Sequence, residues 1–168
     1  MEQPRETGLM PLVGNAPRVL VLGSFPSRTS LEKGWYYANP RNQFWEVMRN
    51  LLDLPVLDQE GVPARDYPAF LVRNHISLWD VAASRRFQPG SMDRDLREIR
   101  VNDIAGVLRD HPTIACIALN GGKAWTLFPR GTIPGRIPLY RLPSTSPANA
   151  RHSLAEKIAE WRVILQYL

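Results

Sequence analysis

The chain has 168 residues, 44% of them apolar and 22% charged, with a net charge of +5; that is the size of one compact α/β domain, expected to run over residues 1–168. No apolar run reaches the roughly 18 residues that span a bilayer, and one cysteine, Cys116, can neither close an internal disulfide nor by itself hold zinc or an iron–sulfur cluster. The histidines His75, His111 and His152 share no metal-ligand spacing, so no metal or other cofactor is expected. The basic residues are 18 Arg and only 3 Lys, and a forked guanidinium suits phosphate and base contacts, so the balance agrees with a nucleic-acid partner.

The opening MEQPRETGLMPLVGNAPR lacks the apolar core of a secretory signal and reads as the short lead-in of a cytoplasmic protein. RVLVLGSF (18–25) is the first predicted strand, apolar and ending in Gly23. A long loop rich in aromatics and amides follows, and NQFWEVMRNLLDL then sets Phe44, Val47, Met48, Leu51 and Leu52 on one helix face. DYPAFLVRN reads as a short helix starting near Pro68, and NHISLWDV (74–81) as the second strand. Residues 93–110 carry one or two helices, with Ser91 and Asp93 as the start of the first. TIACIALN (113–120) is the third strand, GGKAWTLF opens a helix, and IPLYRLP (137–143) is the fourth strand. ARHSLAEKIAEWRVILQYL places Leu154, Ile158, Trp161, Leu165 and Leu168 on one stripe of a last helix. Strands alternating with helices predict a three-layer α/β/α sandwich around a mostly parallel four-stranded sheet, and ligands of such sheets bind at the carboxyl ends of the strands.

The strand ends carry the chemistry. After the first strand, Gly23 allows a close backbone approach and Pro26 fixes a turn. Trp35, Tyr36 and Tyr37 stand in a loop too polar to bury all three, so an aromatic face is expected to be free to stack on a flat ring; the alternative is a packed loop cluster. Asn39 and Asn42 bracket Pro40 and Arg41, and an amide can orient a water and bond a base edge. Asn42 also suits a helix cap, whereas Pro40 keeps Asn39 extended. Asp80 ends the second strand, as a base-recognising or a loop-capping carboxylate, with Arg85 and Arg86 behind it for phosphate. The turn Gly121–Gly122 lacks the residues of a Walker loop but brings backbone amides and Lys123 toward a phosphate. In LPSTSPAN, Pro143 and Pro147 stiffen a loop of small donors, Ser144, Thr145 and Ser146, fit to grip phosphate or wedge a duplex. As an ordinary turn, the same loop uses Ser146 or Asn149 to cap the last helix.

Taken together, GSFP, YANPRNQFW and LPSTSPAN resemble the uracil-DNA glycosylase superfamily, in order and spacing and over most of the chain. The departures point within it. Most branches carry an Asp or Asn before the turn proline, where this chain has Phe25, and a His or Asn before Pro-Ser, where it has Leu142. Both departures look like the deoxyinosine (hypoxanthine) branch, in which the catalytic amide moves into the NPRN loop. That resemblance implies Asn39, then Asn42, as catalytic residues. It implies a base pocket of Gly23, Ser24, Phe25, Tyr36, Tyr37 and Asp80. It implies DNA contacts from Ser27, Arg41, Arg85, Lys123, Ser144, Thr145, Ser146 and Pro147. The expectation is a monomeric, cytoplasmic, nucleoid-associated repair glycosylase that hydrolyses the bond between a deaminated base and its sugar, deoxyinosine foremost. A uracil or mismatch glycosylase, and a non-catalytic binder of damaged or single-stranded DNA, are the alternatives.

Overall fold

The computed structural model describes residues 4–53, 67–86 and 98–168. The helix start expected at Ser91 and Asp93 lies outside the described residues.

Four strands form the central sheet: β2 (Val19–Gly23), β3 (Ile76–Asp80), β6 (Cys116–Asn120) and β7 (Leu139–Leu142). Their order is β3-β2-β6-β7, and every neighbouring pair is parallel. All five residues of β2 are buried, as expected of a central strand covered on both faces, and this is why its sequence is continuously apolar rather than alternating.

The pleat still sorts the side chains. Val19, Val21, Ile76, Leu78, Cys116 and Ala118 face a layer built on α2 (Phe44–Leu52), α3 (Tyr67–Arg73) and α6 (Leu154–Trp161). Leu20, Leu22, Ile117 and Leu119 face the other layer, with Ile104 and Leu108 of α4 (Ile104–Asp110) and Ala124 of α5 (Gly122–Leu127). The three-layer α/β/α architecture is the one expected. Among the described residues no helix is long and apolar enough to cross a membrane.

Two features depart from the sequence expectations. The N-terminal lead-in is structural: β1 (Arg5–Thr7) pairs antiparallel with β4 (Ala82–Arg86), which also pairs with β5 (Arg100–Val101). Leu12 exchanges backbone hydrogen bonds with Leu78 at 2.8 and 3.0 Å, which covers the open side of β3, an edge that would otherwise pair with another chain. The last helix also ends early. After α6 the chain tightens into a 3₁₀ helix over Arg162–Tyr167, so the inward stripe changes from a period near 3.6 to 3. Trp161 and Ile164 are therefore fully buried, while Leu168 is 41% exposed. Its N-terminus is capped by Ser153 and Glu156 in a reciprocal capping box, rather than by Ser146 or Asn149.

The small sheet also fixes a loop. Glu6 stands opposite Arg85 in the β1–β4 ladder, and the two form an ion pair at 2.6 Å. The Arg85 guanidinium lies 4.8 Å from the centre of the Phe25 ring. Backbone bonds from Val81 N to Gly23 O and from Ala82 N to Ser24 O bind the end of β2 to the start of β4. Arg85 is only 6% exposed, so its loss strands a mostly buried carboxylate and uncovers the ring. Arg85→Ala is expected to lower unfolding free energy by about 2–3 kcal/mol, less than for a fully buried pair because Glu6 retains solvent contact. Urea denaturation of the two proteins measures it.

Candidate active site at the carboxyl edge of the sheet

The chain leaves β2 toward β3 on one side and later returns to place β6 on the other, so strand order reverses between β2 and β6. Crevices in open α/β sheets form at such a point, outside the strand carboxyl ends. Gly23, Asp80, Asn120 and Leu142 are the last residues of the four strands.

Gly23 and Asp80 are register partners. A Cβ on Gly23 would stand 2.5 Å from Asp80 Oδ1 and 3.3 Å from the Tyr37 hydroxyl, so only glycine lets carboxylate and phenol crowd the same backbone atom. Asp80 is 4% exposed, and its Oδ2 is buried with no hydrogen-bond partner among the described residues. Burial pushes its carboxyl up to about 7. An ionisable acceptor set at the operating pH, at a strand end, is a common property of functional groups.

Tyr37 adopts a left-handed backbone conformation, φ 54°, which costs a non-glycine residue energy and persists only where neighbours hold it. Two contacts do so. Its ring stacks on Phe44 at 4.0 Å, and its hydroxyl accepts from Asn120 Nδ2 at 3.2 Å. Burial first, and the Asp80 charge second, hold the phenol well above its ordinary titration range, so it stays neutral.

The NPRN turn is closed by Asn42 N donating to Asn39 O at 2.9 Å. Asn39 Oδ1 accepts from Arg41 N at 3.0 Å, while its Nδ2 has no partner among the described residues. Asn42 Oδ1 accepts from Phe44 N at 2.9 Å, a turn bond leading into α2, whose N-cap is Gln43 and not Asn42. Gln43 N donates to Thr145 O at 2.9 Å, which ties the NPRN turn to the loop after β7.

That second loop is internally organised. Ser144 Oγ accepts from Ser146 N, and Ser146 Oγ accepts from Ala148 N, both at 3.2 Å. Asn149 Nδ2 donates to Ser144 O at 2.9 Å, and Pro147 is exposed at the tip. Gly121, at φ 96°, lies against Ser144, whose Cβ would be 2.8 Å from a Cβ added at residue 121. Lys123 and Arg41 are exposed.

The structure therefore brings together Gly23, Tyr37, Asp80, the NPRN turn and the 143–149 loop. Four expected site residues are taken up inside the protein instead. The Tyr36 ring is core, 7% exposed, with its hydroxyl donating to Met10 O at 2.7 Å. Thr145 is fully buried and its hydroxyl accepts from Asn120 Nδ2 at 2.9 Å. Arg85 is committed to Glu6 and Phe25. Ser27 caps α1 (Arg28–Lys33), its Oγ accepting from Ser30 N. In each case a nearby partner of the right polarity outcompetes solvent. Phe25 and Ser24 are half-buried on the segment bonded to β4. The sequence reading missed Asn120; the signal was an amide ending an apolar strand.

The comparisons with known proteins fit this arrangement. The family model described as the uracil DNA glycosylase superfamily matches residues 11–168. A hypoxanthine DNA glycosylase from Methanosarcina acetivorans is 33% identical, over 89% of this chain and 90% of its own length. One from Methanosarcina barkeri is 28% identical, over 94% and 96%. The solution NMR structure of a Methanosarcina acetivorans protein, described as a candidate uracil DNA glycosylase, superimposes with a TM-score of 0.77 at 29% identity, covering 96% of this chain and 99% of that one. With a family match that runs from residue 11 to the last residue, this chain belongs to the uracil DNA glycosylase superfamily.

Proposed function

We propose that the chain is a monofunctional DNA glycosylase of base excision repair that hydrolyses the N-glycosidic bond of a deaminated base, deoxyinosine before others. The two relatives named for hypoxanthine support the substrate class. The observation that carries the reading is Asp80, a buried carboxylate at the strand end with an oxygen lacking a partner among the described residues. Hypoxanthine offers that oxygen its N1–H; adenine offers a lone pair in the same place. An unmet buried acceptor costs about 1–3 kcal/mol, which the right base relieves and the normal base does not.

A base within a duplex exposes neither this edge nor its sugar carbon, so the nucleotide is flipped out, at a cost of roughly a few kcal/mol and less at a mismatch. The 143–149 loop meets the DNA backbone through Ser144, Ser146 and Pro147, with Arg41 and Lys123 as further phosphate contacts. The extruded ring lies between Phe25 and Tyr37, with its edge on Asp80. Asn39 holds the water at the far side of C1′. An amide is too weak a base to take a proton early, so the C1′–N9 bond breaks first and its electron pair leaves with the base. The water then adds to the oxocarbenium-like sugar, one of its protons is lost to solvent, and the free base takes up a proton. Fixed dipoles and the DNA phosphates stabilise the cation in between. No lysine serves as a Schiff-base nucleophile in this scheme: Lys157, the buried one of the three, donates to Gln43 Oε1 and Asn149 O, and Lys33 and Lys123 are exposed.

Oligonucleotide duplexes carrying deoxyinosine, deoxyuridine, deoxyxanthosine or no lesion test the substrate. Free hypoxanthine released in a single turnover, with intact DNA untouched, is the expected result; tight binding with no base released would leave a damage-binding protein. Asn39→Ala is expected to slow base release about 100-fold by losing the water's position. Asn42→Ala should cost about 1 kcal/mol of stability as a lost helix-start contact and leave the rate within a few fold. The opposite ranking exchanges the two roles.

The Asp80 reading also fixes a pH dependence. Its carboxyl is raised from 3.8 to about 7, so the folded chain holds this proton more tightly than the unfolded one. The group's stabilising contribution is complete below about 4 and is lost as pH rises through 7. Activity runs the other way, because only the ionised form is a pure acceptor for N1–H. Deoxyinosine cleavage at sub-saturating DNA should rise through a midpoint near 7, and Asp80→Asn should flatten that profile while becoming more stable than wild type as pH increases from 4 to 7. A wild-type profile that stays level from pH 5.5 to 8 excludes this role for Asp80.

A further inference from the structure

Asn120 ends β6 at the reversal of strand order, and each polar atom of its side chain is used. Nδ2 donates to the Tyr37 hydroxyl at 3.2 Å and to Thr145 Oγ1 at 2.9 Å, and Oδ1 accepts from Thr145 N at 3.0 Å. Tyr37 belongs to the loop after α1, and Thr145 to the loop after β7. One carboxamide therefore joins segments more than a hundred residues apart.

The same two loops meet again beside it. Gln43 N donates to Thr145 O at 2.9 Å. Lys157 of α6 is 2% exposed, and its ammonium donates to Gln43 Oε1 at 2.7 Å and to Asn149 O at 3.1 Å. Burial lowers its pKa. An ammonium is costly to bury and is retained here where it fastens both loops at once. Tyr37, at φ 54°, needs such an external hold.

We propose that Asn120 is a positioning residue for base excision: it locks the DNA-gripping loop (143–149) to the Tyr37 ring beside Asp80, so that the two move as one body. Lys157 and Gln43 fasten the same joint from the α6 side. The proposal rests on the glycosylase reading for its rate prediction but not for its structural one. Its chemistry is specific, since Asn120 gives two donors and one acceptor to three fixed partners. Aspartate at 120 keeps the acceptor for Thr145 N and can receive protons from both hydroxyls, whereas alanine keeps nothing and leaves Thr145 N buried without a partner.

The test uses the full chain with Asn120→Ala, Asn120→Asp and Thr145→Val, each shown folded by circular dichroism well below its midpoint temperature. The first readout is amide hydrogen exchange at Thr145 and Gln43. Asn120→Ala should speed exchange at both sites by tenfold or more, while Val21 and Ala118 in the sheet stay protected. The second is single-turnover base release at saturating enzyme on deoxyinosine duplex. Asn120→Ala should lose about tenfold or more in rate with DNA affinity changed less than threefold, Asn120→Asp should regain most of that rate, and Thr145→Val should fall between. Unchanged exchange at Gln43 in folded Asn120→Ala overturns the joint, as does a wild-type rate in that variant. If Asn120→Ala does not fold, Thr145→Val carries both readouts: faster exchange at Gln43 with a lower rate supports the joint, and wild-type values overturn it. Wild-type protein that releases no base from any lesion defeats the glycosylase reading alone, and the exchange data still decide the joint.

Discussion

Asp80 is held where a carboxylate is costly. It sits at the end of a buried strand, against a glycine that has no side chain to spare, with one oxygen that meets no donor among the described residues. Burial accounts for its rise to about 7. A protein core that tolerates this must recover the cost elsewhere or use it. The neighbourhood is arranged to leave it standing: Gly23 removes the Cβ that would displace it, and the Tyr37 phenol beside it bonds Asn120. Asn102 Nδ2 donates to the backbone carbonyl of residue 80, at 2.8 Å, not to its carboxylate. In the function proposed above, a ligand that brings a donor relieves this cost.

Holding Asp80 there requires stiffness around it, and the connections supply that at three points. The N-terminal strand holds Arg85 through Glu6, and Arg85 covers one face of Phe25. Asn120 and Phe44 hold Tyr37 in a conformation it would not choose alone. Lys157 and Gln43 close the loop after β7 onto the start of α2. Apart from the Tyr37–Phe44 stack, these contacts join segments distant in sequence, so edge geometry depends on the whole sheet being formed. Substitutions at Glu6 or Lys157, neither of which lies in the proposed pocket, should therefore be felt there.

The layers were legible because the signals behind them are local and periodic. Phe44, Val47 and Met48 recur at helical spacing and are buried, and β2 is apolar at every position because both its faces are covered. The small antiparallel sheet was not legible: RET and AASRR carry neither alternation nor length, and they become strands only because β3 continues past Asp80 into β4 and meets the N-terminal segment. In the site, residue type was readable and partnership was not. Tyr36 and Tyr37 are neighbours of identical chemistry, yet one faces Met10 and the core while the other faces Asn120 and the strand edge. The left-handed turn at Tyr37 decides which is which, and it leaves no mark in composition. Thr145 and Arg85 were assigned outward for the same reason, since their inward partners, Asn120 and Glu6, lie 25 and 79 residues away.

Phe25 stands before Pro26 where most branches place an acid or amide, and Leu142, 5% exposed, stands where they place a histidine or asparagine. Neither can hold a water or stabilise a leaving anion, so the proposed site lacks the two groups that lower the barrier most directly elsewhere in the superfamily. What remains is positional: an amide in a closed turn, a buried carboxylate at a strand end, and two loops bonded to each other. In the function proposed above, such a site favours discrimination over speed, because a buried acceptor left unpaired by the wrong base costs about 1–3 kcal/mol. That balance suits a base whose normal counterpart, adenine, fills much of every duplex the protein meets. In the function proposed above, rejecting the undamaged base is the harder task, and it falls to Oδ2 of Asp80.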